Sequence, residues 1–523
     1  MATSRASSTF TLTNAAVSPT RPASFSSSGA TMRQGPHQGA QKSTITGLSA
    51  SRTSAWNCDS LISRTVLLKD ISSSERHRTV PSIPQGVFLS TVCGVPPEVR
   101  LSSWGGEGGL MLYWLALLAG GLVSGACLVA AMVLPRHYAA ATVPLGAAGF
   151  LGGLYVLGTL SQDYSTPLAI AAAIATLIAG VVLGYTILTS AIPNLARARR
   201  PATVRCPEDG DGTGIIVLTC TEPDHYDPRA IAYRQEILRE QAAIDLPLTA
   251  VPFVFLAEKA RYRAVGNTAP GAPVARSLLD KIGRRAATIP GVRVDLAPCH
   301  RPGGLVETVA AQACSGVARI AVVALDPPGT ITAEAALATL GPLEHEAGTP
   351  TVVTAGAIWD DASLVRRMAD RILASTTGAE LADVGVALVG MGMPEEWARR
   401  HPAAAETENY FDQRVRMALM EAGIEGDRIR CGSLDWQAPD VTEVVRHLAA
   451  LGCRHIVLAP STTVLPTLDT TLDLERATTY ARVPRDVRVI TLNAWGDDDT
   501  IVQAVVDAAS AALEPQEDDL RPL

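Results

Sequence analysis

One stretch of this chain aims a single side chain at a place where chemistry is usually done. VGVALVGMGMPEEW, residues 384–397, runs as an apolar strand into Gly390, Met391 and Gly392 and is closed by Pro394. A buried strand ending in a glycine-flanked side chain points that side chain into a crevice at the carboxyl edge of a parallel sheet. Glu395 and Glu396 suit the first turn of a following helix, where carboxylates meet the positive end of the dipole. The thioether of Met391 is a soft metal ligand and accepts no proton at any useful pH. It can coordinate or fill space, but it cannot serve as a base.

Other side chains at strand ends have broader chemistry. Asp469, Asp473 and Glu475 form an acidic run in one loop, and Glu222 and Asp224 follow the first soluble strand. Such carboxylates hold hard or borderline cations and carry protons away, although helix starts and surface positions are their commoner fate. His300 and His225 lie near turns, where a histidine acts either as a base near neutral pH or as a structural hydrogen-bonding group. Cys220 faces the same edge, as a metal ligand or a buried inert thiol, and Trp436 is either core or a stacking platform.

The elements that position these residues follow from periodicity. From 213 to about 513 the pattern is βα repeated, with strands expected at 214–218, 292–296, 320–324, 351–354, 384–389, 428–431, 455–459 and 487–492. Amphipathic helices are expected at 275–286, 305–314, 363–374, 411–422 and 441–451. This alternation implies a parallel sheet with helices on both faces, and right-handed crossovers bring the strand carboxyl ends to one edge. The pattern also repeats. GIIVLTCTEPD and the later VRVDLAPCHRPGGLVETVAAQACSGVARIAVVALDP match VGVALVGMGMPEE and the later DRIRCGSLDWQAPDVTEVVRHLAALGCRHIVLAPST in order and spacing. Two similar α/β halves, 213–370 and 371–513, would face one another across a cleft. Residues 514–523 form a polar tail.

Ahead of a polar linker at 191–212, the region 110–190 carries three apolar runs: 110–134, 138–160 and 167–188. Each is close to the roughly 20 residues that cross a bilayer core, so a lipid bilayer is an expected partner. Glycines such as Gly149, Gly152 and Gly153 permit close helix packing. Arg136 and His137 lie between the first two runs, Arg197, Arg199 and Arg200 follow the third, and the intervening SQDYST has no Lys or Arg. The positive-inside rule then places the large C-terminal domain in the cytoplasm. Residues 1–109 are rich in Ser, Thr and Arg and poor in acids. They read as disordered, either a targeting segment or the product of a start upstream of a true one at Met111.

Composition narrows the class further. A net charge of −7 gives no reason to expect nucleic acid as a partner. The nine cysteines form no CxxC pair, so neither a zinc site nor a disulfide framework is indicated, and the thiols fit a reducing compartment. Nor is there spacing for an iron–sulfur cluster.

The domain from 214 to about 513 resembles ferrochelatase, the class of chelatase that inserts ferrous iron into a porphyrin. The resemblance rests on GIIVLTCTEPDHYDPRAIAYRQEILRE for the family's first strand, Gly-Thr-Pro turn and helix. It rests also on EKARYRAVGNTAPGAPVARSLLDKI for its Tyr-x-x-Ile-Gly-Gly-x-Ser-Pro segment, and on DWQAPDVTEVVRHLAALGCRHIVLAP for its Trp-Leu-x-Pro helix. It implies a fold of two doubly wound parallel-sheet halves. The function it implies is insertion of Fe2+, as substrate metal, into protoporphyrin or coproporphyrin, with no further cofactor. The family's catalytic histidine, in an Ala-His-Gly/Ser-Leu-Pro turn, is replaced here by Met391. Its second key group, a glutamate, falls at Asp469, and the first-half loop ALDPPGTITAEAA keeps Asp326 and Thr332 polar. The resemblance thus makes Asp469 the expected catalytic group and, with Met391, the expected metal contact. Met391, Cys220, Trp436 and His300 are the expected tetrapyrrole contacts. Loss of the histidine leaves open a catalytically impaired haem- or tetrapyrrole-binding protein on the same scaffold, or a structural module.

Overall fold

A computed structural model describes residues 107–163, 166–196, 211–341 and 350–514. The readings made for 1–106 and 515–523 lie outside the described residues.

The chain opens with three long helices, α1 (Glu107–Val133), α2 (Arg136–Asp163) and α3 (Pro167–Ala191). All three are long and apolar enough to cross a membrane. They pack by close backbone approach, which glycine permits. An ideal Cβ at Gly125 of α1 would lie 2.0 Å from the Val181 carbonyl of α3, and one at Gly184 would lie 2.1 Å from the Leu122 carbonyl. Of the three glycines singled out from spacing, Gly149 meets the Gly120 carbonyl and Gly153 meets Leu177. Gly152 has open space around it, because its place on the helix turns it away from the seam.

The soluble part is two copies of one parallel sheet. The first half runs β1 (Gly212–Thr219), α4 (Pro228–Ala242), α5 (Val251–Ala264), α6 (Gly271–Ala286), β2 (Arg293–Pro298), α7 (Gly304–Cys314), β3 (Val317–Ala324), α8 (Ile331–Leu337), β4 (Thr351–Thr354) and α9 (Ala362–Ser375). The second runs β5 (Val384–Gly390), α10 (Glu395–Arg400), α11 (Pro402–Glu421), β6 (Ile429–Ser433), α12 (Val441–Ala450), β7 (His455–Pro460), a π-helical turn (Asp469–Asp473), α13 (Leu474–Ala481), β8 (Arg488–Thr491) and α14 (Asp499–Leu513). The strand orders are β2-β1-β3-β4 and β6-β5-β7-β8, and every described pairing in the sheets is parallel. Strand identity follows from burial on both faces: every residue of β5 is buried.

The repeat extends to single hydrogen bonds. The Cys299 N–H donates to the Thr219 carbonyl, as the Leu434 N–H donates to that of Gly390. Trp359 donates its indole N–H to the carbonyl of Leu325 at the end of β3 (3.2 Å), and Trp495 to that of Ser461 at the end of β7 (2.8 Å). The two indoles meet edge to face, 6.3 Å apart, and the Phe411 ring lies against both, at 5.2 Å from Trp359 and 6.5 Å from Trp495. Asp361 and Asp498 then cap the helices that follow, accepting from the Ser363 and Thr500 N–H groups.

Those two helices exchange. α9 leaves the first sheet and packs on α11, while α14 leaves the second sheet and packs on α6 and β3. One core therefore joins Ile215, Leu278 and Val323 of the first half to Val386, Phe411 and Val505 of the second.

Gly125→Leu is expected to destabilise the helix trio by overpacking, about 1–3 kcal/mol. The thermal midpoint of the detergent-solubilised chain checks this, with Gly152→Leu expected to leave it in place.

Candidate functional site

Parallel strands bring the carboxyl-edge loops of each half together. In the first half, Glu222 accepts a hydrogen bond from the Leu468 N–H at 2.9 Å, so the β1 loop is tied to the second half's long loop. Arg261 on α5 reaches the same loop. Its guanidinium bonds to Asp469, to Asp473 at 2.9 Å and to Glu258 at 3.1 Å, and its side chain is almost wholly buried. Asp469, the expected catalytic carboxylate, is thus held by a buried cation rather than offered alone to solvent. The Glu222 carboxyl is pushed up to about 7 by burial, with the charges of Asp469 and Glu258 adding to the effect. Its Oε2 is buried without a hydrogen-bond partner.

Cys220 and Cys299 are joined as a disulfide, with Cα atoms 4.8 Å apart. This corrects the reading of the cysteines as separate thiols. They are 79 residues apart in sequence, so no short spacing marks them. The pairing of Thr219 with Pro298 in the β1–β2 register places the next residue of each strand side by side. Next to this bond, His300 donates from Nδ1 to the Thr221 carbonyl at 2.7 Å. That fixes the tautomer of the neutral ring and leaves Nε2 as its acceptor. Burial pushes His300 below its usual value, which favours the neutral form. Asp326 accepts from the Cys220 N–H at 3.2 Å, and burial raises it to about 6. His225 is exposed and bonds to the Asn267 carbonyl.

In the second half, Met391 occupies the place that Cys220 holds in the first. It is half-buried, and its carbonyl accepts from the Asp435 N–H. Gly392 beside it has φ +73°, and a Cβ there would lie 2.1 Å from the Asp435 carbonyl, so the turn requires glycine. Met393 and Trp397 pack against Ala242 of α4, and Trp397 donates to the Gly329 carbonyl at 2.7 Å. Contacts therefore bridge the facing loops of the two halves on both sides. Glu396 is paired with Arg399 and Arg400.

Beside the Met391 loop, between the ends of β5 and β6 and the helices α10 and α11, lies a cavity of about 650 Å³. Trp436, Gln437, Asn409 and Arg399 line it together with three carboxylates, Glu395, Glu408 and Asp412. Trp436, expected to contact a ligand or to serve as core, is half-buried on this wall in a left-handed conformation, φ +66°. Glu408 accepts from the Thr462 hydroxyl at 2.8 Å and from the Met391 N–H. A Cβ on Gly390 would sit 2.4 Å from its Oε1, so that glycine makes the space it uses. Asp412 is only 3% exposed; the Ser461 hydroxyl and the Cys431 thiol lie beside its carboxyl, and its Oδ1 makes no well-formed hydrogen bond. Burial, with the Glu408 charge adding to it, raises Asp412 to about 7, and burial raises Glu408 as well. Neither carboxylate nor Arg261 was singled out from the sequence. The available signal was register: Glu408, Asp412, Val415 and Leu419 share one helical stripe, and the last two are core.

The soluble part also grips the apolar helices. Lys259 of α5 donates to the Ala131 and Leu134 carbonyls at the end of α1, at 2.9 and 2.5 Å. The Tyr226 hydroxyl donates to the Val133 carbonyl, and Phe255 packs against Val129, Val133 and Ile192. Burial, and then the charges of Arg263 and Arg136, push Lys259 down to about 8.

Fold and site together define a duplicated α/β domain, two four-stranded parallel sheets of the same strand order, joined to three long apolar helices. No family model and no curated protein matches the chain. Among solved structures, it is similar to SirB from Bacillus subtilis, determined with Fe3+, at 14% identity over 59% of this chain and 98% of that one, TM-score 0.37. It is similar to DR2241 from Deinococcus radiodurans, a multi-domain protein described as structurally similar to chelatases, at 17% identity, TM-score 0.35, over 59% of this chain and 56% of that one. A third is CbiX, the terminal enzyme for biosynthesis of sirohaem in denitrifying bacteria, at 15% identity over 58% of this chain and all of that one, TM-score 0.34.

Two outcomes are expected. Arg261→Met leaves Asp469 without this cation and should cost about 3 kcal/mol in thermal or urea unfolding, with Arg261→Met/Asp469→Asn recovering part of the loss. The folded state holds the Glu222 proton more tightly than the unfolded chain, about 7 against 4.5. That contribution to stability is whole below the lower value and lost as pH rises through the upper one. Glu222→Gln should therefore flatten the pH dependence of the unfolding midpoint across this window.

Proposed function

We propose that this protein is a membrane-anchored, chelatase-like enzyme that inserts a divalent metal into a tetrapyrrole, with ferrous iron and a porphyrin as its substrates. The observation that carries the reading is the cavity at the strand carboxyl edge. It has an aromatic wall at Trp436 and two acids shifted toward neutrality, and it adjoins the loop that carries Met391. Metallation removes two pyrrole protons, which calls for bases with values near neutral pH. A cavity of this volume is in the range that takes a cofactor-sized ligand. Met391 itself supplies no base, and Asp469 is engaged by Arg261.

Membrane attachment suits flat, apolar substrates with low solubility. The soluble domain docks at the end of the helix trio where α1 closes and Arg136 begins α2. Under the positive-inside rule that end, and the domain with it, faces the cytoplasm.

The test uses the full chain in detergent with protoporphyrin or coproporphyrin and anaerobic Fe2+ or Zn2+, followed by absorbance. Insertion above the protein-free rate is the expected result. Binding without insertion, with a haem spectrum altered by Met391→Ala, would instead establish a tetrapyrrole-binding protein with the thioether as an axial ligand. No spectral change with any porphyrin would overturn both readings.

A further inference from the structure

We propose that Glu408 and Asp412 are the groups that take the ring protons, so that the base lost at position 391 is supplied from beneath the same loop by α11. This rests on the reading of the protein as a tetrapyrrole metal-inserting enzyme.

Three features point to the pair. First, Asp412 is a carboxylate 97% removed from solvent whose Oδ1 has no well-formed hydrogen bond, although the Ser461 hydroxyl and the Cys431 thiol lie beside the carboxyl, and it lines a cavity large enough for a ligand. A buried carboxylate oxygen left unpaired costs free energy, and a ligand N–H would relieve that cost. Second, Glu408 stands one turn before Asp412 on the same wall. It is held by Thr462 and by the Met391 backbone N–H, so it is coupled directly to the loop expected to face the ring. Third, Gly390 has no side chain where one would strike Glu408. The strand end is shaped around this carboxylate.

The chemistry balances without a redox partner. As the metal enters, each of two ring N–H bonds breaks. The electron pair stays on nitrogen and becomes the bond to the metal, and the proton passes to a carboxylate oxygen. The two resulting acids then return their protons to water through the open mouth of the cavity. The Glu408 charge adds to the burial that raises Asp412, so the Asp412 carboxyl is poised both to take a proton and to release one. Charged and titratable groups around the pair are Glu395 and Arg399 from α10, Arg416 from α11 and Cys431 from β6. Burial and then the Asp412 charge push the Cys431 thiol up to about 12, so it stays protonated in the working range.

The experiment has two readouts on the full chain in detergent. The first is the initial rate of Zn2+ insertion into protoporphyrin as a function of pH. In the unsubstituted protein the rate should rise with pH to a plateau, with its midpoint near 7. Asp412→Asn should lower the plateau at least tenfold and abolish that midpoint, Asp412→Glu should restore most of it, and Glu408→Gln should lower the rate severalfold. The second readout needs no turnover. The infrared carbonyl band of a protonated carboxyl, absent in Asp412→Asn, should shift when metal-free porphyrin is added. Rates and pH profile unchanged in Asp412→Asn, or a band indifferent to bound porphyrin, would overturn the proton-acceptor role while leaving tetrapyrrole binding intact. Failure of the unsubstituted chain to bind porphyrin at all would overturn the underlying reading and this one with it.

Discussion

The buried guanidinium of Arg261 is the interaction on which the arrangement depends. Few side chains in a folded protein serve three carboxylates at once, and an unpaired charge in that position would be costly. Arg261 serves Glu258 on its own helix and Asp469 and Asp473 on the opposite half. Two residues earlier on α5, Lys259 caps the end of α1, and one residue later Tyr262 donates its hydroxyl to the Pro223 carbonyl. One short helix thus fastens the apolar trio, the β1 loop and the π-helical turn. Displacing any of them moves the others.

Around that fastening, two copies of a single plan have diverged at equivalent points. Cys220 and Met391 hold the same place at the ends of the central strands β1 and β5. In one half the sulfur is locked to Cys299, and in the other it is a thioether on a glycine-flanked turn. Trp359 and Trp495 keep identical duties, each closing the end of a strand and meeting the other in the shared core. The core has retained its symmetry while the edge has lost it. Packing constrains every buried neighbour, whereas an edge loop answers only to its own contacts.

Much of the architecture was legible because strands buried on both faces write themselves as apolar runs. All eight expected strands form, and the repeat noticed in GIIVLTCTEP and VALVGMGMP extends to hydrogen-bond register. Loop chemistry was less legible. Asp469 could be marked by its place in the chain, but its cation lies 208 residues away and no local pattern announces it. Glu408 and Asp412 carry no local motif that sets them apart from other acids on the helix. Only their register with Val415 and Leu419 shows that they point inward. The Cys220–Cys299 bond was hidden for the same reason, since neighbours in a parallel sheet are distant in sequence.

The exchange of α9 and α14 has a consequence for biosynthesis. One face of the first sheet is covered only in part, by α6, until α14, the last helix described, has been made, because α14 lies against β3 and α6. At about 5–20 residues per second, roughly 10–40 s separate completion of β3 from synthesis of that helix. For that interval the nascent chain presents an apolar sheet face only partly covered by α6. A ribosome that stalls or terminates early releases a product with no stable half-molecule to fall back on, and quality control will meet it as an aggregation-prone fragment.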